Sequence, residues 1–190
     1  MEAILIKIIR EIFRGMKFSD YLFILVLLAN LILVTYLGIG DYRKGEKVDQ
    51  SLRNGEQILS WFENFSQKIE ANEAVTQSIC LPLAEGERPS KGAKLNTWHS
   101  CVESLFNSSG PFQDYANLLM PQALPFAEKC DKHEPGSSGA FIFEKLTLNP
   151  AGPPATSPMG PGEKLIGSMN IRLSLCDTGY YLVKIGEFKL

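Results

Sequence analysis

The sequence predicts an α+β protein in which a long amino-terminal helix, apolar and then amphipathic, packs on a small antiparallel β-sheet. Three observations carry that reading. Residues 21–39 (YLFILVLLANLILVTYLGI) hold no formal charge and are apolar apart from Asn30 and Thr35. Val48, Leu52, Ile58, Leu59, Phe62, Phe65 and Ile69 fall along one helical stripe. Two carboxy-terminal segments alternate apolar and polar residues with the period of a strand.

The elements divide the 190 residues unevenly. An overall composition that is 45% hydrophobic with a net charge of −2 would suit one soluble domain, but the apolar content is concentrated at one end. Residues 1–17 place Ile4, Leu5, Ile8, Ile9, Ile12, Phe13 and Met16 at helical spacing, with Lys7, Arg10, Glu11, Arg14 and Lys17 mostly between them. This is a basic amphipathic helix suited to the inner membrane surface, or a leader. Residues 18–40 form the predicted transmembrane helix. Within it the nineteen residues 21–39 rise roughly 28 Å, close to one hydrocarbon core. Tyr21 and Tyr36 stand near its ends, where amphipathic rings favour the headgroup level. Asn30 is its one amide, either tolerated within the apolar run or hydrogen-bonded to a neighbouring helix. The basic residues before the span outnumber the acidic ones, whereas the charges just after it cancel, so the amino terminus is expected in the cytoplasm. A retained signal anchor fits better than a cleaved signal peptide, since the run is long and lacks an A-x-A site.

The approach to the span reads Arg14-Gly15-Met16-Lys17-Phe18-Ser19-Asp20-Tyr21. Counting Met16 as the first residue after a cut makes Asp20 the fifth. This resembles the processing region of type IV pilin-like and pseudopilin-like proteins, in which a basic leader ends in Gly and an apolar helix follows with Glu at its fifth position. An acid followed by Tyr21 is also similar to the short pilins of the tight-adherence class. The resemblance implies cleavage after Gly15, methylation of the new terminus at Met16, and Asp20 in the Glu role, where it would pair with the free amine of a neighbouring copy. A carboxylate in an apolar helix is costly unless paired, so such a contact helps set register. Asp in place of Glu and Lys17 at the second position depart from the family pattern.

Residues 41–76 continue as an amphipathic extracytoplasmic helix or stalk, in which Gly45 and Gly55 weaken the helical pattern. Residues 77–190 form the head. Short helices are expected over 95–106 and 112–130, the second interrupted by Pro121 and Pro125. Strands are expected over 140–148, 165–175 and 180–188, with a hairpin turn over 176–179. The Pro- and Gly-rich residues 150–163 are expected to form an irregular loop. Ile171, Leu173 and Leu175, with Tyr181, Val183 and Ile185, should face the helix, while the other sheet face meets water. The aromatic pairs Trp61/Phe62 and Tyr180/Tyr181 are expected in core and sheet packing.

Cys80, Cys101, Cys130 and Cys176 all follow the apolar segment. An even count in an exported domain argues for two disulfides in an oxidising periplasm or at a cell surface. Of the three possible pairings, Cys80–Cys101 and Cys130–Cys176 join neighbours in chain order and are favoured. A competing metal site would draw on His99, Cys101, Cys130 and His133. No H-E-x-x-H, G-x-S-x-G, S-x-x-K, Walker or dinucleotide glycine pattern occurs, so no enzyme, catalytic residue or cofactor is expected. Of 19 basic and 21 acidic residues, Lys7, Arg10, Arg14 and Lys17, and Glu2, Glu11 and Asp20, precede residue 41. The outer part is therefore net acidic, with no electrostatic case for nucleic acid. The expected partners are membrane lipid and, through the span, other copies of the chain or other membrane subunits. The function expected is that of a non-enzymatic structural or assembly subunit. The alternatives are an accessory subunit of a larger membrane complex or an anchored ligand-binding or enzymatic domain.

Overall fold

The structure, a computed structural model, describes residues 17–71, 73, 80–82, 96–134, 136–147, 149, 154–167 and 169–190. Helix α1 spans Phe18–Glu70 and α2 spans Trp98–Phe106. The strands are β1 (Phe126–Ala127), β2 (Phe141–Thr147), β3 (Ala155–Pro158), β4 (Asn170–Cys176) and β5 (Leu182–Lys189). The chain forms two compact units that divide between Gly45 and Glu46, so α1 contributes to both. Residues 41–70 of the stretch read from the sequence as an amphipathic helix or stalk lie within α1.

In the second unit, α1 is the central core helix. Its buried positions are Ser51, Gly55, Ile58, Phe62 and Phe65, alternately four and three residues apart. Half-buried Val48 and Ile69 extend the same spacing at either end. A seam of this spacing stays on one side of a helix, and here that side lies against the sheet. Phe62 is fully buried and stacks on Phe188 of β5, with ring centroids 4.2 Å apart. Trp98 of α2 meets Phe143 of β2 edge-on at 4.8 Å. Thr97 caps α2, its hydroxyl accepting from the Ser100 N–H at 3.3 Å, so that helix starts later than the sequence pattern suggests.

The α+β architecture stands, but the sheet is mixed rather than antiparallel. Strand order is β1-β2-β4-β5, with β3 also paired to β2. The β2–β4, β4–β5 and β2–β3 pairs are antiparallel, whereas β1 runs parallel to β2. β1 lies where the sequence suggested a second helix. Pro121 and Pro125 break that segment into turns, and the Pro125 carbonyl instead accepts the Phe141 N–H at 2.8 Å. β3 is a second departure, because residues 155–158 of the predicted loop form an edge strand on β2. Pro158 sits at the end of that edge strand, where a missing donor is tolerated.

β5 does not keep one alternation throughout. Leu173 pairs with Gly186 and Ser174 with Lys184, which leaves Ile185 as an extra residue. This bulge shifts the phase, so that half-buried Val183 and buried Phe188, five residues apart, both serve the helix side. Tyr180 and Tyr181 are not packed in the sheet. They lie in the turn before β5, and Tyr181 is 73% exposed. Asp177 organises that turn through Oδ1, which accepts the N–H groups of Gly179 and Tyr181, each at 2.8 Å.

The second sheet face is also not uniformly wet. Ile142, Ser174 and Cys176 alternate with the helix-facing residues, yet all three are buried. The Cys130–Cys176 bond and the Ser138 hydroxyl, which donates to the Asp177 carbonyl at 3.3 Å, hold the preceding irregular chain at that end. Farther along, Arg172 donates to Glu187 Oε1 through Nε and Nη2, and Lys184 pairs with the same oxygen at 2.8 Å. Hydrogen bonds from Lys184 and Arg172 hold the Glu187 carboxyl below its ordinary value. The stability this lends is present above the unfolded carboxylate value and is lost as pH falls through the lowered one.

Gly55 explains how the helix comes so close to the sheet. A Cβ there would meet Ile185 Cδ1 at 2.3 Å and Phe141 Cε1 at 3.1 Å. Gly186 is its counterpart on β5, where a Cβ would meet Leu59 Cδ2 at 2.3 Å. Each glycine leaves the hollow that the other element's side chain fills. Gly55→Val should therefore lower the unfolding midpoint of the intact chain by roughly 3–10 °C, although valine forms helix better than glycine. Gly45→Ala, where a Cβ would meet nothing within 4 Å, should not lower it. Thermal unfolding of both variants checks the pair, and an unchanged midpoint for Gly55→Val would refute the close-approach role.

Candidate functional site

The described residues of the first unit offer one candidate functional surface, the exposed apolar part of α1. Phe18, Leu25, Leu31, Ile32, Val34, Tyr36 and Leu37 are each more than half exposed, and no residue of the most apolar stretch is buried. By length and composition α1 can cross a membrane, and it fits a single-pass anchor. An apolar surface of this extent is unfavourable in water and calls for cover.

Asp20 sits at the start of α1. Its Oδ2 accepts the Lys17 backbone N–H at 2.8 Å, while the Asp20 N–H donates to the Lys17 carbonyl at 2.9 Å. This is the return half of a capping box, and it places a negative charge at the positive end of the helix dipole. The carboxylate thus has a local task within its own chain. Gly15 and Met16, the predicted cleavage and methylation positions, lie outside the described residues. Asn30 also turns inward along its own helix, Nδ2 donating to the Val26 carbonyl at 2.8 Å.

The cysteines form two bonds, Cys80–Cys101 and Cys130–Cys176. Of the pairings open to four cysteines, this is the one that joins neighbours in chain order, and it fits an oxidising compartment. Cys101 and Cys130 consequently have no thiolate to offer, which removes the zinc alternative. His99 instead faces Glu103 one turn along α2, at 3.9 Å. The His133 N–H donates to Asp131 Oδ1 at 2.9 Å. Among the described residues no cluster of His, Cys, Asp and Glu has metal-binding geometry.

Asn117 ties down the irregular part of the head. It is buried, and its Nδ2 donates to the carbonyls of Gly136 at 3.2 Å and Ser138 at 2.9 Å. Its Oδ1 accepts from the N–H groups of Leu119 at 3.1 Å and Met120 at 2.9 Å. All the bonding capacity of the amide is used. Nearby, Tyr115 donates to Gln57 Oε1 of α1, and burial pushes its phenol pKa up.

The head holds a half-open pocket of about 300 Å³. Its origin lies in the unusual sharing of one strand edge. β1 pairs with Phe141 and Ile142, β3 pairs with β2 from Glu144 onward, and Phe143 falls at the junction. The pocket lies there, lined by Phe143, Phe126, Met159, and Trp98 and Val102 of α2. His99, Glu128 and Glu134 contribute its ionisable groups. The sequence reading did not assemble this site. Trp98 and Phe143 were legible as apolar members of a helix and a strand, but the parallel strand that brings Phe126 beside them has only two residues.

Comparison with protein-family models, curated proteins and solved structures gives no match.

Asn117→Asp should destabilise the head by about 1–3 kcal/mol, because a carboxylate would face two carbonyl oxygens that now receive N–H groups. Chemical denaturation of the intact chain checks this. A variant as stable as the parent would show that Asn117 does not anchor the loop.

Proposed function

We propose that the chain is a non-enzymatic, single-pass extracytoplasmic subunit that assembles through its apolar helix in the manner of a pilin or pseudopilin. The amino terminus faces the cytoplasm, and the disulfide-bonded head faces a periplasm or the cell surface. The observation that carries this reading is the continuity of α1, whose first part exposes an apolar surface and whose second part is the core helix of the head. The first part supplies a surface for attachment in lipid, and the second part belongs to the folded head. The basic excess before the span supports the orientation. On this reading Asp20 pairs with the amine of a neighbouring copy after cleavage at Gly15, and the apolar faces of adjacent helices pack in the bilayer, with Asn30 Oδ1 free to accept across a helix contact.

A second reading is favoured by the contact at Asp20. Its carboxylate already accepts the Lys17 N–H, so a role as helix cap accounts for the acid without a neighbouring copy. The chain would then be an accessory subunit of a larger membrane complex, anchored with its amino-terminal segment retained.

The two readings differ at the mature amino terminus. Intact-mass analysis of protein from its native membrane should give a chain that begins at methylated Met16. A chain that begins at Met1 rejects the pilin-like reading and leaves the accessory one. Asp20→Ala should abolish polymer while leaving the protein in the membrane. Normal polymer yield from that variant would reject a register role for Asp20.

A further inference from the structure

The pocket between β1, β3 and α2 is not used by assembly through the apolar helix, and its chemistry is specific. Its walls are aromatic and aliphatic, supplied by Trp98, Val102, Phe126, Phe143 and Met159. A volume of about 300 Å³ is at the small end of ligand sites and suits one ring or branched alkyl group. Two carboxylates, Glu128 and Glu134, belong to the lining, and no lysine or arginine does. The ion pairs of the described residues engage neither carboxylate. Unpaired acids beside an apolar cavity disfavour an anionic occupant and attract a cation. Aromatic faces add to the attraction for an ammonium group.

We propose that this pocket binds a small apolar ammonium compound, with a ring or branched alkyl body against Trp98, Phe126, Phe143 and Met159 and the ammonium group held by Glu128 and Glu134. The site makes the head a receptor for an amine as well as an assembly unit. It requires neither cleavage at Gly15 nor polymer formation, so it stands whichever reading of the amino terminus holds.

The test uses the full chain in phosphatidylcholine nanodiscs with methyl-¹³C methionine, the Met159 signal being identified with a Met159→Leu variant. Three probes of like size and different charge are titrated: 2-phenylethylammonium, 2-phenylethanol and phenylacetate. The ammonium compound should shift the Met159 methyl signal saturably at millimolar concentration and bind at least tenfold more tightly than the alcohol, with phenylacetate weaker still. In Glu128→Gln/Glu134→Gln the ammonium compound should bind no better than the alcohol. Val102→Phe should abolish the shift by filling the pocket. No shift at Met159, or an alcohol or phenylacetate that binds as tightly as the ammonium compound, overturns the proposal. The double glutamine variant changes only an exposed and a half-buried side chain, so it keeps the test decisive should Val102→Phe fail to fold.

Discussion

The head depends on the close approach of one helix to one bulged strand. Gly55 of α1 and Gly186 of β5 each leave out a side chain where the other element inserts one, Ile185 over the first and Leu59 over the second. Interiors are packed densely enough that an extra carbon at such a point must displace a neighbour. The bulge at Ile185 belongs to the same arrangement. It brings Ile185 and Gly186 to the helix together, and it shifts the strand's phase so that Phe188 reaches Phe62. Helix, bulge and aromatic stack therefore specify one register between α1 and the sheet.

The same helix serves two environments. Over residues 21–39 its surface is apolar and exposed, and the polar side chains Asn30 and Thr35 are hydrogen-bonded to carbonyls one turn back, at Val26 and Leu31. Satisfying polar groups within the helix is what a lipid environment requires. From Glu46 onward one side is buried against the sheet. The remainder of the head has little regular structure between α2 and β2, and there the work of a core is shared with the Cys130–Cys176 disulfide and the amide of Asn117. Each disulfide contributes about 2–4 kcal/mol, chiefly by restricting the unfolded chain.

Much of this was legible in the sequence because it rests on period. The apolar run, the seam of α1 and strands β2, β4 and β5 all announce themselves by spacing. What escaped lacks a period. Gly55 reads as a flaw in a helix until Ile185, 130 positions away, is seen above it. β1 is two residues long and exists only through its pairing with β2, while β3 is an edge strand inside a proline-rich stretch. Propensity argues against both, and tertiary pairing decides. The pocket is hidden for the same reason, since Trp98, Phe126 and Phe143 converge from three separate elements and Met159 from the residue after β3. Asp20 was legible as an acid at a membrane edge, but its bond to Lys17 required the helix start to be placed.

The central claim is that Leu59 and Gly186 are complementary in volume, and a double-mutant cycle measures it directly. Gly186→Ala, Leu59→Ala and the double variant are unfolded by denaturant in the intact chain. The account predicts that the double variant is more stable than the sum of the single effects allows, by about 0.5–3 kcal/mol, because removing the Leu59 branches clears the space the new methyl group needs. Strictly additive effects would contradict it and would mean that the helix does not meet the sheet at these two positions.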